Sequence, residues 1–384
     1  MVSAAHPASP PRTTPSLPSP LLRARTHGRR TITDGTRTGA VTRVRRDVYL
    51  EADPLQPGWL AAATRHQALL EAIRADGVDG VVVLESAALL HGAVTWRLPA
   101  TVHLSVGYRT NGLRLPAGRT APDQPTAGDL SPADRRKARR ERPLTRHQLA
   151  VAPADVIDIG GLRTTRIERT IEDCARFLEP DAALVVVDSL LAVATGAMGP
   201  NGVVHEPGAA LDRPWDRAAQ INADASALRS AVLARLERRA GERGVRRARA
   251  VLHAASPWSQ SPFETEARRL CLVFGIEPPT PQLPVATPTT TRFLDLGWAR
   301  LRLGVEIDGA VKEVGGSKAE LEARAGRDEE LDKAGFTLLH VDPATVRDGL
   351  WMVQRLRNFL PVTATEARPV TDLRTRIERR RGRA

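Results

Sequence analysis

Three carboxylates interrupt two short apolar segments in the last third of the chain. Asp295 lies in RFLDLGW, and Glu306 and Asp308 lie in LGVEIDG a few residues later. Alternate residues of a strand share a face, so Glu306 and Asp308 point away from Val305 and Ile307. A hairpin between the two segments brings Asp295 near Glu306. Carboxylates gathered on one sheet face repel each other unless they are protonated or neutralised, for example by a divalent cation.

The chemistry of such a cluster is that of an oxygen-liganded cation. Mg²⁺ takes oxygen ligands at ~2.0–2.1 Å in octahedral geometry and keeps several waters. A metal-bound water attacks a phosphodiester, and the cation stabilises the developing charge. One interpretation is therefore that a divalent hard cation binds among Asp295, Glu306 and Asp308. The alternative is that this face is solvent-exposed and the acids only make it soluble.

The elements around the acids predict an αβββαβα domain over residues 256–361. Its first helix begins after Ser261 and ends at Gly275. The other elements are strands at about 282–287, 292–298 and 301–308, a charged helix at about 317–334, a strand at 336–341 and a closing helix at 344–360. Glu264, three residues after Ser261, has the spacing of a helix cap, which is the alternative to a catalytic role.

The combined pattern resembles the PD-(D/E)XK nuclease superfamily, in particular the very-short-patch-repair endonuclease-like domains of unknown function in actinobacterial proteins. The residues that carry the resemblance are Ser261, Glu264, Arg268, Gln282, Asp295, Glu306, Asp308, Gly309, Arg327, Asp328, Leu331 and Gly335. The resemblance implies a restriction-endonuclease-like fold and metal-dependent hydrolysis of DNA. Asp295 and Glu306 would hold the metal, and Glu264 would orient a water or a second metal. We assign Arg268 and Arg327 to nucleic-acid binding.

The sequence departs from this family at a catalytic cation. Relatives with the full motif carry a lysine two residues after the glutamate, where it stabilises charge on the attacked phosphate; here that position is Asp308. Lys312 is one of four lysines in the chain, and our hypothesis is that it supplies the missing charge. The alternatives are that Lys312 is an exposed turn residue, and that the domain binds DNA without cutting it.

The front half has the patterns of a DNA-binding regulator. Three segments resemble the AbiEi-type antitoxins of type IV toxin–antitoxin systems: GAVTRVRRDVYL at 39–50, ESAALLHG with TVHLSV over 85–106, and GLRTTRIERTIEDCAR with VVVDSLLA over 161–192. The resemblance implies a winged helix-turn-helix, a regulatory middle domain and a cognate toxin as partner. Arg43, Arg45 and Arg46 would contact phosphates, although arginines on such a strand also fit a soluble edge.

The winged helix-turn-helix is predicted to be degenerate. Residues 21–38 show no helical periodicity, and Asp47 occupies the usual glycine of the wing. The predicted α/β multidomain organisation is therefore a disordered leader at 1–28, a winged-helix remnant at 29–52, a middle domain at 53–194 with an inserted basic loop at 109–146, an irregular insertion at 195–226, a basic helical linker at 227–255, the nuclease-like domain at 256–361 and a basic disordered tail at 362–384.

The composition agrees with a cytoplasmic DNA-binding protein. The net charge is +12 and the pI is near 10.9, which favours a polyanionic partner, although a GC-rich genome also inflates arginine content. The two cysteines, Cys174 and Cys271, lie far apart and predict neither a disulfide framework nor a zinc site. No run of 18 apolar residues predicts a membrane span. Cutting both strands of a duplex would favour a homodimer.

Overall fold

The structure is a computed structural model that describes residues 21–53, 58–107, 144–198, 214–308 and 318–381. It is a mixed α/β protein whose described strands form sheets of two, five and four strands. The chain divides into two compact units. The first contains the described residues up to His91 together with 97–170, and the second contains 92–96 and the residues from Ile171 onward. This division differs from the predicted boundary at residue 194, because the helices after Thr170 belong to the second unit.

The described part of the first unit starts at residue 21, inside the predicted leader, whose residues 1–20 lie outside the described part. Helix α1 spans Ala24–His27, α2 spans Arg29–Thr38, and strands β1 (Val41–Arg45) and β2 (Val48–Glu51) form an antiparallel hairpin. Leu22 forms a two-way backbone bridge with Tyr49. The predicted leader is therefore corrected over 21–28, and the expectation that 21–38 contains no helix was wrong. The sequence shows no helical periodicity of apolar residues because Ile32 is the one residue that α2 buries.

A five-stranded sheet forms the rest of the first unit. Its elements are α3 (Gly58–Ala75), β3 (Val81–Val82), α4 (Leu84–Leu90), β4 (Val102–Ser105), β5 (Leu144–His147), β6 (Val156–Ile159) and β7 (Leu162–Thr165), with strand order β5-β4-β3-β7-β6. Leu69 and Ile73 of α3 pack with Leu104 and Leu162 of the sheet. The predicted loop at 109–146 is corrected at its end, since Leu144 starts a strand parallel to β4; residues 108–143 lie outside the described part.

The second unit begins as a helical layer. The helices are α5 (Ile167–Phe177, which crosses the boundary), α6 (Pro180–Thr195), α7 (Ala218–Glu237) and α8 (Val245–Ala254). The predicted irregular insertion is corrected at its end, because α7 starts at Ala218. The predicted basic linker is two packed helices, and its arginines are not all on a solvated face. Arg235 and Arg239 each bind the fully buried Glu172 at 2.7 Å.

The last sheet follows the predicted element order, with the closing helix divided in two. The elements are α9 (Pro262–Phe274), β8 (Thr280–Ala286), β9 (Thr291–Trp298), β10 (Leu303–Ile307), α10 (Lys318–Lys333), β11 (Thr337–Val341), α11 (Pro343–Arg347) and α12 (Gly349–Phe359). The strand order is β11-β10-β9-β8, with β10 and β11 parallel and the other pairs antiparallel. Both faces are covered by helices, so the sheet has two cores.

The buried side chains of β9 switch from one face of the sheet to the other at Asp295. Leu294 packs with Leu331 of α10, whereas Leu296 lies in the core that α9 and α12 cover. Residues two apart in a regular strand share a face, so the alternation is interrupted at Asp295. Leu294 crosses over Gly304 of β10, where an added Cβ would lie 2.7 Å from Leu294 Cδ1. A glycine is required there for the leucine to take this path.

The predicted disordered tail is corrected, because residues 362–381 are ordered and packed. They include the helix α13 (Arg376–Arg381) and the buried Leu373. The guanidinium of Arg269 donates to the carbonyl of Leu373 and to the carboxylate of Glu378, each at 2.8 Å. Glu378 thus joins Glu266 of α9 in compensating the buried charge of Arg269. Basic residues dominate its sequence, so its packing was hidden.

No helix in the part of the chain that the structure describes is long and apolar enough to cross a lipid bilayer.

Candidate active site

The register of β9 and β10 brings Asp295 and Glu306 together. The pairs run from Leu303 with Trp298 to Val305 with Leu296, and Asp295 and Glu306 are the next residues of the two strands. The Glu306 carboxylate accepts the backbone N–H of Asp295. Asp295 also reaches across to β10, where its Oδ2 accepts the backbone N–H of Ile307 at 2.8 Å. The hairpin contact predicted between these two acids is therefore present.

Gln282 joins two of the predicted carboxylates. Its Nε2 donates to Glu264 Oε2 at 3.3 Å and to Asp295 Oδ1 at 3.4 Å. Gln282 lies within β8 at φ 49°, in the left-handed region that non-glycine residues rarely adopt. Such conformations cost about 1–3 kcal/mol and concentrate at functional sites. The resemblance had singled out Gln282, but no pattern in the sequence predicted its backbone conformation.

Glu264 is both a helix cap and a member of the acidic cluster. Its backbone N–H donates to Ser261 Oγ at 3.2 Å, and its Oε2 accepts the backbone N–H of Gln260 at 2.8 Å. The same carboxylate oxygen accepts from Gln282. The two readings of Glu264 from the sequence therefore do not exclude each other, since the cap fixes the carboxylate against the sheet.

Burial makes all three acids hard to ionise together. Burial, and after it the charge of Asp295, raises the pKa of Glu264 to about 8. The same two causes raise the pKa of Glu306 to about 8. Burial also raises the pKa of Asp295, against the lowering effects of the Ile307 N–H and of Arg327. The cluster therefore carries a mutual repulsion that protonation or an added cation relieves.

Arg327 is bound to the acidic cluster. Its Nη2 donates to Glu306 Oε1 at 3.0 Å and to the backbone carbonyl of Phe293 at 2.6 Å. Arg327 was predicted to contact nucleic acid, and the contacts it makes are with this carboxylate and strand β9. It partly compensates the charge of Glu306 and ties α10 to the sheet.

A second polar group adjoins the cluster at the end of β10. Asp308 Oδ2 binds Arg324 of α10 in a short ion pair. The same Arg324 donates to His340 Nδ1 at 2.7 Å, and His340 Nε2 lies 3.3 Å from Asp328 Oδ2. Asp308 thus engages an arginine that sequence reasoning had not singled out. Lys312, the residue proposed from the sequence as the missing cation, lies outside the described residues.

Arg268 has a different place from the one predicted. Its side chain is 5 % exposed, donates to the carbonyl of Ala254 and forms an ion pair with the buried Asp188. Asp188 also accepts from Thr265 at 2.9 Å. A guanidinium enclosed in this way is not at the surface where a phosphate would meet it. We therefore correct its assignment from nucleic-acid binding to packing of α9 against α6.

The three arginines of the hairpin in the first unit differ in exposure. Arg43 and Arg46 are exposed, whereas Arg45 pairs with Asp76 at 3.2 Å and is half-buried. Asp47 closes the hairpin at φ 61°, the conformation usually given to glycine. Two of the three predicted phosphate contacts therefore remain available at the surface.

The acidic cluster fits a cation held by two protein ligands. In the described residues, no group of three or more His, Cys, Asp or Glu side chains is arranged so that it could hold a metal ion. Mg²⁺, however, is usually bound by one or two carboxylates and keeps several waters. Asp295 and Glu306 form such a pair; burial raises the pKa of both, and the charge of Asp295 adds to the rise at Glu306.

Comparison of the chain with family profiles, with curated proteins and with solved structures gave no match. The resemblances described above therefore stay predictions, and function is inferred from the geometry of this site.

Proposed function

We propose that the chain is a Mg²⁺- or Mn²⁺-dependent endonuclease that hydrolyses phosphodiester bonds in DNA. One observation carries the proposal: Asp295 and Glu306 are partly buried on neighbouring strands, and Asp295 Oδ2 accepts the backbone N–H of Ile307, the residue next to Glu306, at 2.8 Å. Buried carboxylates that repel one another are costly for stability. Binding of a divalent cation and a phosphate group is a function that explains why they are kept.

The residues have distinct roles in this proposal. The cation would supply an activated water and stabilise charge on the attacked phosphate. Asp295 and Glu306 would hold it, and Gln282 keeps the Asp295 carboxylate in place through a hydrogen bond of 3.4 Å. Glu264 would orient a water beside the cation, and its carboxylate is held for this by hydrogen bonds from the Gln260 backbone N–H and from Gln282.

The proposal is tested by cleavage of plasmid, mismatched and branched DNA with Mg²⁺, Mn²⁺ or EDTA. Asp295→Asn and Glu306→Gln should each abolish metal-dependent cutting, because each removes a ligand charge with little change in volume. Glu277→Gln is the matched control, since Glu277 forms an ion pair with the exposed Arg300 in the same unit. Cutting that persists in both ligand variants, or in EDTA, contradicts the proposal.

The alternative function is DNA binding without cleavage, as in a transcriptional regulator or antitoxin. It is favoured by the surface of α2, which buries Ile32 and exposes Arg29, Arg30 and Arg37 beside the exposed Arg43 of the hairpin. Binding of promoter-length duplexes in EDTA, measured for the wild type and for Arg29→Ala/Arg30→Ala, tests it. Strong binding lost in that variant, with no cutting in any metal, would favour the regulator. A cognate toxin as partner belongs to this alternative, whereas a homodimer belongs to the nuclease, which would cut both strands of a duplex.

A further inference from the structure

We propose that Arg324 is the side chain that binds the attacked phosphate, and that Asp308 and His340 hold it in position. This inference deepens the proposed function and rests on it. Metal-assisted hydrolysis of a phosphodiester leaves negative charge on the phosphate oxygens that the metal alone does not cover. A preorganised guanidinium beside the metal ligands supplies positive charge at that place.

The fold places Arg324 next to the acidic cluster. Asp308 follows Glu306 by two residues and its backbone N–H donates to Val341 at 2.8 Å, which fixes it at the end of β10. In the parallel register of β10 and β11, His340 stands beside Glu306. Arg324 therefore contacts two residues that are the immediate neighbours of a predicted metal ligand.

Arg324 and Arg327 lie one helical turn apart on α10 and have different partners. Residues three apart on a helix are neighbours on its surface. Arg327 is bound to Glu306 itself and to a strand carbonyl. Arg324 is bound to Asp308 and His340, one step outward from the cluster. Arg327 compensates the charge of Glu306, whereas Arg324 is placed to contact the phosphate of a substrate.

The hydrogen bonds around His340 define how Arg324 is held. Arginine is always a donor, so His340 Nδ1 must accept from it and the ring proton must sit on Nε2. Nε2 lies 3.3 Å from Asp328 Oδ2, which is suited to accept that proton's hydrogen bond. The run from Asp328 through His340 to Arg324 and Asp308 thus fixes the guanidinium from two sides.

Arg324 keeps donors for a ligand. Both contacts use Nη2, and in the part of the chain that the structure describes neither Nε nor Nη1 makes a hydrogen bond. The side chain is 32 % exposed. Both hydrogens of Nη2 are engaged, so the two-pronged edges of the guanidinium are not free. Arg324 is anchored at Nη2 and keeps Nε–H and the Nη1 hydrogens for single hydrogen bonds to phosphate oxygens.

The experiment compares Arg324→Ala and Arg324→Lys with a matched control. Arg292 is that control, because it also joins the sheet to α10, through Glu330 at 2.8 Å, and is 34 % exposed. Arg324→Ala should lower kcat about 10²–10³-fold, the usual effect of removing one charge-stabilising donor. Arg324→Lys should recover part of that loss, and Arg292→Ala should stay within about twofold of the wild type.

Two further measurements test the positioning and the phosphate contact. Asp308→Asn loosens one anchor of Arg324, so kcat should fall about tenfold at unchanged KM, a separation that general destabilisation would not produce. DNA binding is also measured in EDTA as a function of salt concentration. Because Arg324→Ala would lose about one phosphate contact, its slope of log K against log salt should be shallower than that of the wild type by about 0.9.

The outcomes separate this inference from the proposed function. Absence of cutting by the wild type in every metal defeats the nuclease, while the salt slope in EDTA still decides whether Arg324 binds phosphate. An Arg324→Ala protein with normal cutting and an unchanged slope overturns the inference. Loss of cutting in Lys312→Ala but not in Arg324→Ala assigns the cation to Lys312 instead. Circular dichroism melts of each variant identify any that fail to fold.

Discussion

Gln282 and Asp295 face each other at the place where β8 and β9 depart from regular strand geometry. Gln282 takes a left-handed backbone conformation, and next to Asp295 the side-chain alternation of β9 is interrupted. The hydrogen bond between them, at 3.4 Å, connects the two irregularities. The backbone is therefore strained where a carboxylate must be turned toward Glu306, as is common at functional sites.

At position 282, glycine should give a more stable protein than alanine, which is the reverse of their usual order of stability in a strand. Inside a regular strand glycine is the less stable residue by roughly 0.5–1 kcal/mol. At φ 49° alanine meets the left-handed penalty of about 1–2 kcal/mol, and glycine does not. Gln282→Gly should therefore unfold at a higher temperature than Gln282→Ala, although both lack the amide. A calorimetric comparison of the two variants tests this, and the reverse order would show that the backbone relaxes.

The acidic cluster should make the second unit less stable as the pH rises. The pKa of Glu306 is about 8 in the folded chain, against about 4.5 when it is unfolded. The folded state thus binds more protons between these values, and its stability falls as the pH rises from about 4.5 through 8. Glu306→Gln should flatten this slope in denaturant titrations without metal. If the variant had the same pH dependence of stability as the wild type, Glu306 would not be its cause.

Mg²⁺ should stabilise the protein more at pH 8 than at pH 6. Metal ligands must be deprotonated, and the raised pKa values of Glu306 and Asp295 hold protons at the lower pH. The melting temperature with and without millimolar Mg²⁺ measures the difference. The Asp295→Asn protein is the control and should show no Mg²⁺ response at either pH. A response of equal size in wild type and control would mean that the ion binds at another place.

The first unit should lose stability in mild acid through three buried histidines. Burial lowers the pKa of His66 to about 4, of His103 to about 3 and of His147 to about 4. The unfolded chain takes up these protons near pH 6.5, so the unfolding free energy falls as the pH drops below 6.5. His66→Gln should reduce that fall, whereas replacing the exposed His253 should not. If both variants lost the same unfolding free energy in acid as the wild type, His66 would not contribute to the acid sensitivity.

Arg268 should matter for stability rather than for DNA. Arg268→Ala leaves Asp188 as an uncompensated buried charge, which costs about 3–5 kcal/mol. Arg300→Ala, at an exposed pair, should cost about 0–1 kcal/mol. Chemical denaturation measures both. DNA affinity per folded molecule should be the same for Arg268→Ala and the wild type, and a selective loss of affinity would restore the role first assigned to Arg268.

Local patterns were sufficient for the last sheet and its acids. The alternation of LGVEIDG places Glu306 away from Val305, and the Ser261 and Gly275 signals bound a helix that the structure contains. Local patterns did not predict contacts between residues that are distant in the sequence. Nothing near Arg324 in the sequence points to Asp308 or His340, since each lies 16 residues away and only the fold brings them to α10.

Arginine was the residue type most often misread. An exposed and a buried guanidinium look alike in a sequence, because the compensating acid lies far away: Asp188 for Arg268, Glu172 for Arg235. The helix α2 was missed for the opposite reason, since its single buried residue, Ile32, gives no periodic signal. The left-handed conformation of Gln282 follows from strand packing and has no local signature.

The pairing of Arg269 with Glu378 has a consequence for biosynthesis. Arg269 belongs to the same helix as Glu264, but its carboxylate partner Glu378 is made 109 residues later. On the ribosome, that helix emerges with a cation destined for burial and only Glu266 beside it. Its final packing has to wait until residue 378 has left the exit tunnel. The helix that carries Glu264 therefore reaches its final packing only after the whole of the second unit has been synthesised.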